Sequence, residues 1–193
     1  MYGLLGVLLC FLVSFGVEKT FKVKPVTHLS DTFEYIPILT ANIYADLFII
    51  FLTFLHYTGA SLEGWYKKYR LSAMIADILI GVLYILLGRY LVSIFKLDVG
   101  LTFFAAICVG VQVIFDFLFY FFFSAVPSGS NHMLDFFKSY AKDVKLNAIF
   151  GDSALVIFAV ILSGLLNTRG FDFNIVSLIL SLYLVPFLIY MKD

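Results

Sequence analysis

Polar and apolar positions in this chain fall into blocks instead of alternating with the period of a soluble helix or strand. Six apolar runs, at about residues 2–17, 36–62, 71–95, 101–126, 148–166 and 173–191, are marked off by charge clusters, Gly and Pro. A helix needs about 20 residues to cross a hydrocarbon core, with roughly 17 as the lower limit. The third and fourth runs exceed that and the first barely approaches it, so five or six spans are predicted. Lipid offers no hydrogen-bond partner to an open strand, which leaves helices. The expected fold class is therefore all-α, one polytopic transmembrane bundle over residues 1–193.

Composition agrees. Hydrophobic residues make up 62% and charged ones 13%, with mean hydropathy +1.02, whereas soluble domains run near half apolar and a quarter charged. Thirteen basic and thirteen acidic residues cancel, so no global field attracts nucleic acid, and none is expected as a partner. Cys10 and Cys108 each stand alone in an apolar run, which argues against a disulfide framework, a thiolate metal site or a C-x-x-C pair.

The connecting segments supply topology. The first run lacks a basic leader and an A-x-A-like site before Glu18, so it reads as a retained span and not a cleaved signal. Residues 18–35, with Lys19, Lys22, Lys24 and Pro25, read as a surface loop, and Asp31 and Glu34 have the spacing of a capping box that opens the second span. After the fourth run, Pro127 ends the helix and Ser128, Gly129 and Ser130 make a turn. Asn131 then caps an amphipathic helix over about 131–145. Its apolar side is Met133, Phe136, Phe137, Tyr140 and Val144, and the segment is predicted to lie in the interface. Lys67, Lys68, Arg70, Lys138, Lys142, Lys145 and Lys192 place seven positive charges on one side against five on the other, or against two if the first loop is set aside. Positive residues are retained in the cytosol, so these loops and the C-terminus are expected there, with Trp65, Tyr66 and Tyr69 as an interfacial belt. Anionic lipids are the partner expected at this basic cluster.

Inside the runs lie Asp46, His56, Asp77, Arg89, Asp116 and Asp152. Each costs on the order of 2.5 kcal/mol or more if it faces lipid unpaired, so all are expected to face the interior. Polar and small residues form stripes there: Asn42, Asp46, Thr53, His56 and Ala60; Asp77, Gly81, Tyr84 and Gly88; Gln112, Asp116 and Tyr120; Asp152, Ala159, Ser163 and Asn167. A short loop centred near Trp65 to Lys68 would make the second and third spans antiparallel, with residue numbers at one depth summing to about 133. That register pairs His56 with Asp77 and Asp46 with Arg89 as structural ties. Asp116 and Asp152 are left without a cationic partner, and with Asp77 and His56 they are the candidate proton or ion sites.

Catalytic motifs are missing: no H-E-x-x-H, G-x-G-x-x-G, P-loop or G-x-S-x-G, no potassium-filter sequence, and no mid-span lysine for a Schiff base. His28, His56 and His132 fall in separate segments, so no metal and no cofactor is expected.

Two stretches carry a resemblance: Tyr66 to Tyr90, YKKYRLSAMIADILIGVLYILLGRY, and Gln112 to Asp152, which contains DFLFYFFFSAVPSGSNHMLDFFKSYAKDVKLNAIFGD. Both are similar to uncharacterised multi-span proteins of large nucleocytoplasmic DNA viruses of algae and protists. The resemblance covers roughly the middle half of the chain and transfers no catalytic residue. It implies a protein of a virion's internal membrane or of the host endomembranes that supply it, in contact with capsid or other membrane proteins. Three functions follow as expectations, with an oligomer compatible with each. The leading one, because the intramembrane charges largely self-pair, is a structural or assembly role. The second is a small proton or cation transporter or channel using Asp116 and Asp152. The third is a membrane enzyme acting on lipid where Asp77, Asp152 and His132 gather.

Overall fold

The computed structural model describes residues 2–191; Lys192, counted above, lies outside them. Eight α-helices are found there: α1 Tyr2–Phe21, α2 Tyr35–Phe54, α3 Ala60–Tyr69, α4 Leu71–Ile94, α5 Leu101–Ala125, α6 His132–Val144, α7 Asn147–Asn167 and α8 Phe171–Ile189. A 3-10 turn, Thr32–Glu34, leads into α2. Six of the helices are long and apolar enough to cross a membrane. Their outward faces are apolar, with Leu12, Phe121 and Val176 each about two-thirds exposed. A contiguous apolar surface of that extent is stable only in lipid. The chain is an all-helical, multi-pass membrane protein.

The second span is shorter than its sequence suggests. α2 stops at Phe54 because the His56 and Tyr57 amides fold back onto the Thr53 and Leu52 carbonyls, a Schellman ending with His56 at φ 63°. α4 ends the same way, with Lys96 at φ 49° and the Lys96 and Leu97 amides donating to the Ser93 and Val92 carbonyls. Neither position is glycine, so the usual signal is missing from the sequence. Residues 60–69 then form a separate helix, α3, started after Gly59. α1 runs on to Phe21, beyond the expected residue 17, and its Glu18 accepts from the Thr102 amide at 2.9 Å and the Thr102 hydroxyl at 2.7 Å. That bond satisfies an otherwise orphaned donor in the first turn of α5.

α2 packs against α4, α7 and α8, while α1 lies outside α5 and α7. Two glycines on α4 permit close approaches by its neighbours. A Cβ on Gly81 would meet the Asn42 carboxamide oxygen at 2.3 Å, and one on Gly88 would meet Cys108 Sγ at 2.7 Å.

Successive spans alternate in direction, which gives the bundle two unlike ends. The cap end carries α3, α6 and the end of α8, tied by Tyr69 donating to the His132 carbonyl (2.6 Å), Ser61 to Asp143 (3.4 Å) and Arg70 to the Ile189 carbonyl (3.0 Å). The loop end carries residues 22–34, 95–100 and 168–170. Asn131 caps α6 as expected, accepting from the Met133 and Leu134 amides. The apolar face of α6 is turned on protein, with Phe136 and Phe137 against Trp65 and Phe137 against Phe119.

Candidate functional site

The four aspartates of the spans come from four helices. Asp46 is eight residues from the end of α2, Asp77 six from the start of α4, Asp116 nine from the end of α5 and Asp152 five from the start of α7. At 1.5 Å per residue all four lie about 7 to 14 Å below the cap end, in one layer.

Asp46 is buried, and its Oδ1 accepts from the Tyr66 hydroxyl at 2.8 Å. Asp77 accepts from the Trp65 indole N–H at 2.9 Å and is also within hydrogen-bonding reach of Tyr66. One phenolic hydrogen thus serves two carboxyl groups, and Asp46 Oδ2 is buried with no partner among the described residues. Tyr66, on α3 and outside the spans, titrates well above the ordinary tyrosine range, because of burial first and then the charges of Asp46 and Asp77. A second branch starts at Asp116, which accepts from the Tyr84 hydroxyl at 3.2 Å and from the Gln112 carboxamide. Gln112 in turn accepts from Ser153 at 2.7 Å. Asp152, expected to face the interior, is exposed, and it makes no hydrogen bond among the described residues. The Tyr140 phenol on α6 is raised by burial, then by Asp152 and Asp77, which places α6 over the same layer.

Among the described residues, no ion pair reaches any of the four aspartates, and no group of three or more His, Cys, Asp or Glu is placed to hold a metal ion.

Both expected ties are overturned. His56 lies in the turn after α2, exposed, with its Nδ1 3.1 Å from Glu63 Oε2. Glu63 is held below the usual carboxylate range by its bond to Lys67 and then by His56. The reason is register. With α2 ending at Phe54 and α4 beginning at Leu71, residue numbers at one depth sum to about 125, which sets Asp46 beside Asp77 and leaves Arg89 about 15 Å deeper along the axis. Arg89 belongs to the loop end. Fully buried, it donates to Glu34 Oε2 at 3.1 Å and to the His28 and Asp31 carbonyls at 2.5 and 3.2 Å, and it lies 4.8 Å from the Tyr35 ring. Glu34 also accepts from the His28 amide at 3.0 Å and from Asn167 at 3.4 Å.

Four further readings change. Tyr120 faces outward among Phe121 and Phe123, and Tyr84 takes its place beside Asp116. His132 is exposed at the start of α6, and no hydrogen bond or ion pair joins it to Asp77 or Asp152 among the described residues. In the basic cluster, Lys67 pairs with Glu63 at 2.7 Å and Lys68 covers the Tyr69 and Phe136 rings. Lys138 bonds the Val126 carbonyl, while Lys142 and Lys145 are exposed. Trp65 and Tyr66, expected to be interfacial, turned out to be donors to the acids.

No protein-family model matches this chain, and neither a curated protein nor a solved structure is similar to it.

Proposed function

We propose that this membrane protein moves protons, and that Asp46, Asp77, Asp116 and Asp152 form its proton-binding layer, opening toward the cap end. The observation behind this reading is that four carboxyl groups share one membrane-embedded layer with no guanidinium or ammonium group among them. Polar glue in a membrane is cheapest when opposite charges or saturated hydrogen bonds close on themselves. An unpartnered buried carboxyl oxygen and one phenol beside two acids support a layer whose charge is balanced by protons or a cation taken up from outside. Donors on α3 and α5, namely Tyr66, Trp65 and Gln112, hold carboxyl groups in place, and Asp152 is the exposed member of the layer.

The test is proton flux in liposomes under an imposed pH gradient, comparing the wild type with Asp116→Asn and Asp77→Asn. Flux in the wild type that falls in correctly folded variants supports the proposal. Flux unchanged in both variants refutes the layer as the pathway. A second reading, assembly at an anionic membrane surface facing the cytosol, draws on the exposed ammonium groups of Lys68, Lys142 and Lys145 at the cap end. It is the reading favoured by a folded wild type with no flux.

A further inference from the structure

A cleft of about 400 Å³ runs down the outside of the bundle between α4 and α8, and no polar side chain lines it. It opens because both helices pack on α2 while contact between α4 and α8 themselves is slight, so α2 becomes its floor. Ile43, Met74 and Val185 are buried along the base, and the exposed walls are Ile75 and Leu79 on α4 and Leu182 on α8. On the lipid-facing side of a membrane protein such a surface excludes water and takes hydrocarbon.

The extent of the cleft selects among apolar occupants. From Leu71 to Leu79 it descends eight residues along α4, about 12 Å from the cap end. The hydrocarbon of one leaflet is about 15 Å deep, half of the bilayer core. An extended acyl chain fits that depth. A transmembrane helix of a second copy is about 10–12 Å across and crosses both leaflets, so it would meet the cleft over only half of its length.

Charge selects the headgroup. Arg70 immediately precedes Leu71 and bridges the two walls at the cap end: its guanidinium donates to the Ile189 carbonyl of α8 at 3.0 Å and lies 5.2 Å from the Tyr190 ring centroid. Elsewhere at the cap end, among the described residues, Lys67, Lys68, Lys138, Lys142 and Lys145 outnumber Glu63, Asp135 and Asp143. The polar layer above the cleft is therefore net positive, which favours a headgroup with net negative charge.

We infer that this cleft is a binding site for one anionic glycerophospholipid. An acyl chain lies between α4 and α8 on the α2 floor, and the negative headgroup sits at Arg70. A phosphatidylcholine with the same chains fills the groove equally well, but its choline cancels the charge. The site is separate from the carboxyl layer and does not rest on proton movement.

The probes are dioleoyl phosphatidylglycerol and dioleoyl phosphatidylcholine, which share their chains and differ in net charge. The full chain is reconstituted into equimolar vesicles of the two, extracted into dodecyl maltoside and read by native mass spectrometry, with circular dichroism confirming the fold of each variant. The wild type should retain phosphatidylglycerol saturably, one per monomer, in preference to phosphatidylcholine. Leu182→Trp and Ile75→Phe each push bulk into the cleft from an exposed wall and should lose retention of both lipids. Arg70→Gln should weaken the preference about fivefold, the scale of one basic group at an anionic surface, while chains still bind. Equal retention of the two lipids by the wild type, unchanged retention in both filled variants, or an unchanged preference in folded Arg70→Gln overturns the site. A lipid-free wild-type dimer overturns it too and assigns the cleft to a second copy. If Arg70→Gln does not fold, the wild-type lipid comparison and the two filled variants decide.

Discussion

Replacing Glu34 by Gln strips the charge from the partner of Arg89 while keeping the side chain's shape and one acceptor oxygen. Arg89 is fully buried and Glu34 nearly so, 3.1 Å apart, so water cannot step in to compensate. Removing one member of a buried pair costs about 3–5 kcal/mol. The carbonyls of His28 and Asp31 still hold the guanidinium, which places the expected loss at the low end, about 3 kcal/mol. At about 2–4 °C per kcal/mol for a chain of this size, the unfolding midpoint should fall by about 6–12 °C. Arg89→Met alone should cost at least as much, because it also leaves the Glu34 carboxylate buried. The double variant Glu34→Gln with Arg89→Met removes the orphaned charge and should recover most of the loss, since apolar replacements of a buried pair are often neutral. The assay is a double-mutant cycle by far-ultraviolet circular dichroism in dodecyl maltoside. A single variant within about 1 kcal/mol of wild type, or a double whose loss is the sum of the two singles, would refute the coupling.

Four further outcomes are expected. Tyr66→Phe removes the hydroxyl shared by Asp46 and Asp77 and should lower stability by about 1–3 kcal/mol, read by the same thermal assay; an unchanged midpoint contradicts the assignment. Gly88→Ala drives a methyl to 2.7 Å from Cys108 Sγ, an overpacking cost of about 1–3 kcal/mol that Cys108→Ala should partly relieve. Reporter cysteines at positions 63 and 172 should label from opposite sides of the membrane, and labelling from one side rejects the span assignment. Because the Glu63 carboxyl titrates below its ordinary range in the folded protein, its contribution is present at neutral pH and is lost as pH falls through that lowered value. Protection of the α3 amides from hydrogen exchange should therefore weaken on acidification, and Glu63→Gln should abolish that pH dependence.

The spans were readable because hydrocarbon thickness imposes a length that composition alone can meet, and the amphipathic α6 was readable because Pro127, Gly129 and Asn131 punctuate it. The pairings were not, and one residue accounts for that. His56 ends α2 in a left-handed conformation that ordinarily calls for glycine or asparagine, so the hydrophobic run through Leu62 concealed the break. Counting the span eight residues too long shifted the hairpin register by the same amount and matched Asp46 to Arg89. The polar stripes on single helices were sound for Asp116 and Gln112. Which tyrosine joins them depends on how α4 and α5 face each other, and one-turn spacing along α5 carries no information about that. Glu34 was visible only as half of a capping box, a role its side chain does not take, because its bond to Arg89 requires the 22–34 loop to fold back over the guanidinium.

α4 carries one member of each polar network: Asp77 in the carboxyl layer and Arg89 in the loop-end pair, twelve residues or about 18 Å apart along the axis. Between them the bundle is sealed by Ile85, Phe104, Ala105, Cys108, Ile157 and Val160, all buried and apolar. In the proposed transporter a proton leaving Asp77 or Asp116 toward the loop end meets a mostly apolar barrier, interrupted on its cap side by the buried Asn42 and Tyr84, which a carrier must open by moving helices. The Gly88 approach to Cys108 packs α4 closely on α5 within that seal, so in the proposed transporter a tilt of α4 loosens the barrier and strains the Arg89–Glu34 bond together. In the proposed transporter, Glu34→Gln should lower the cost of that tilt. The expected signature is a higher passive proton leak in a protein that remains folded below its reduced midpoint. A leak equal to that of wild type would separate the loop-end pair from gating and confine it to stability.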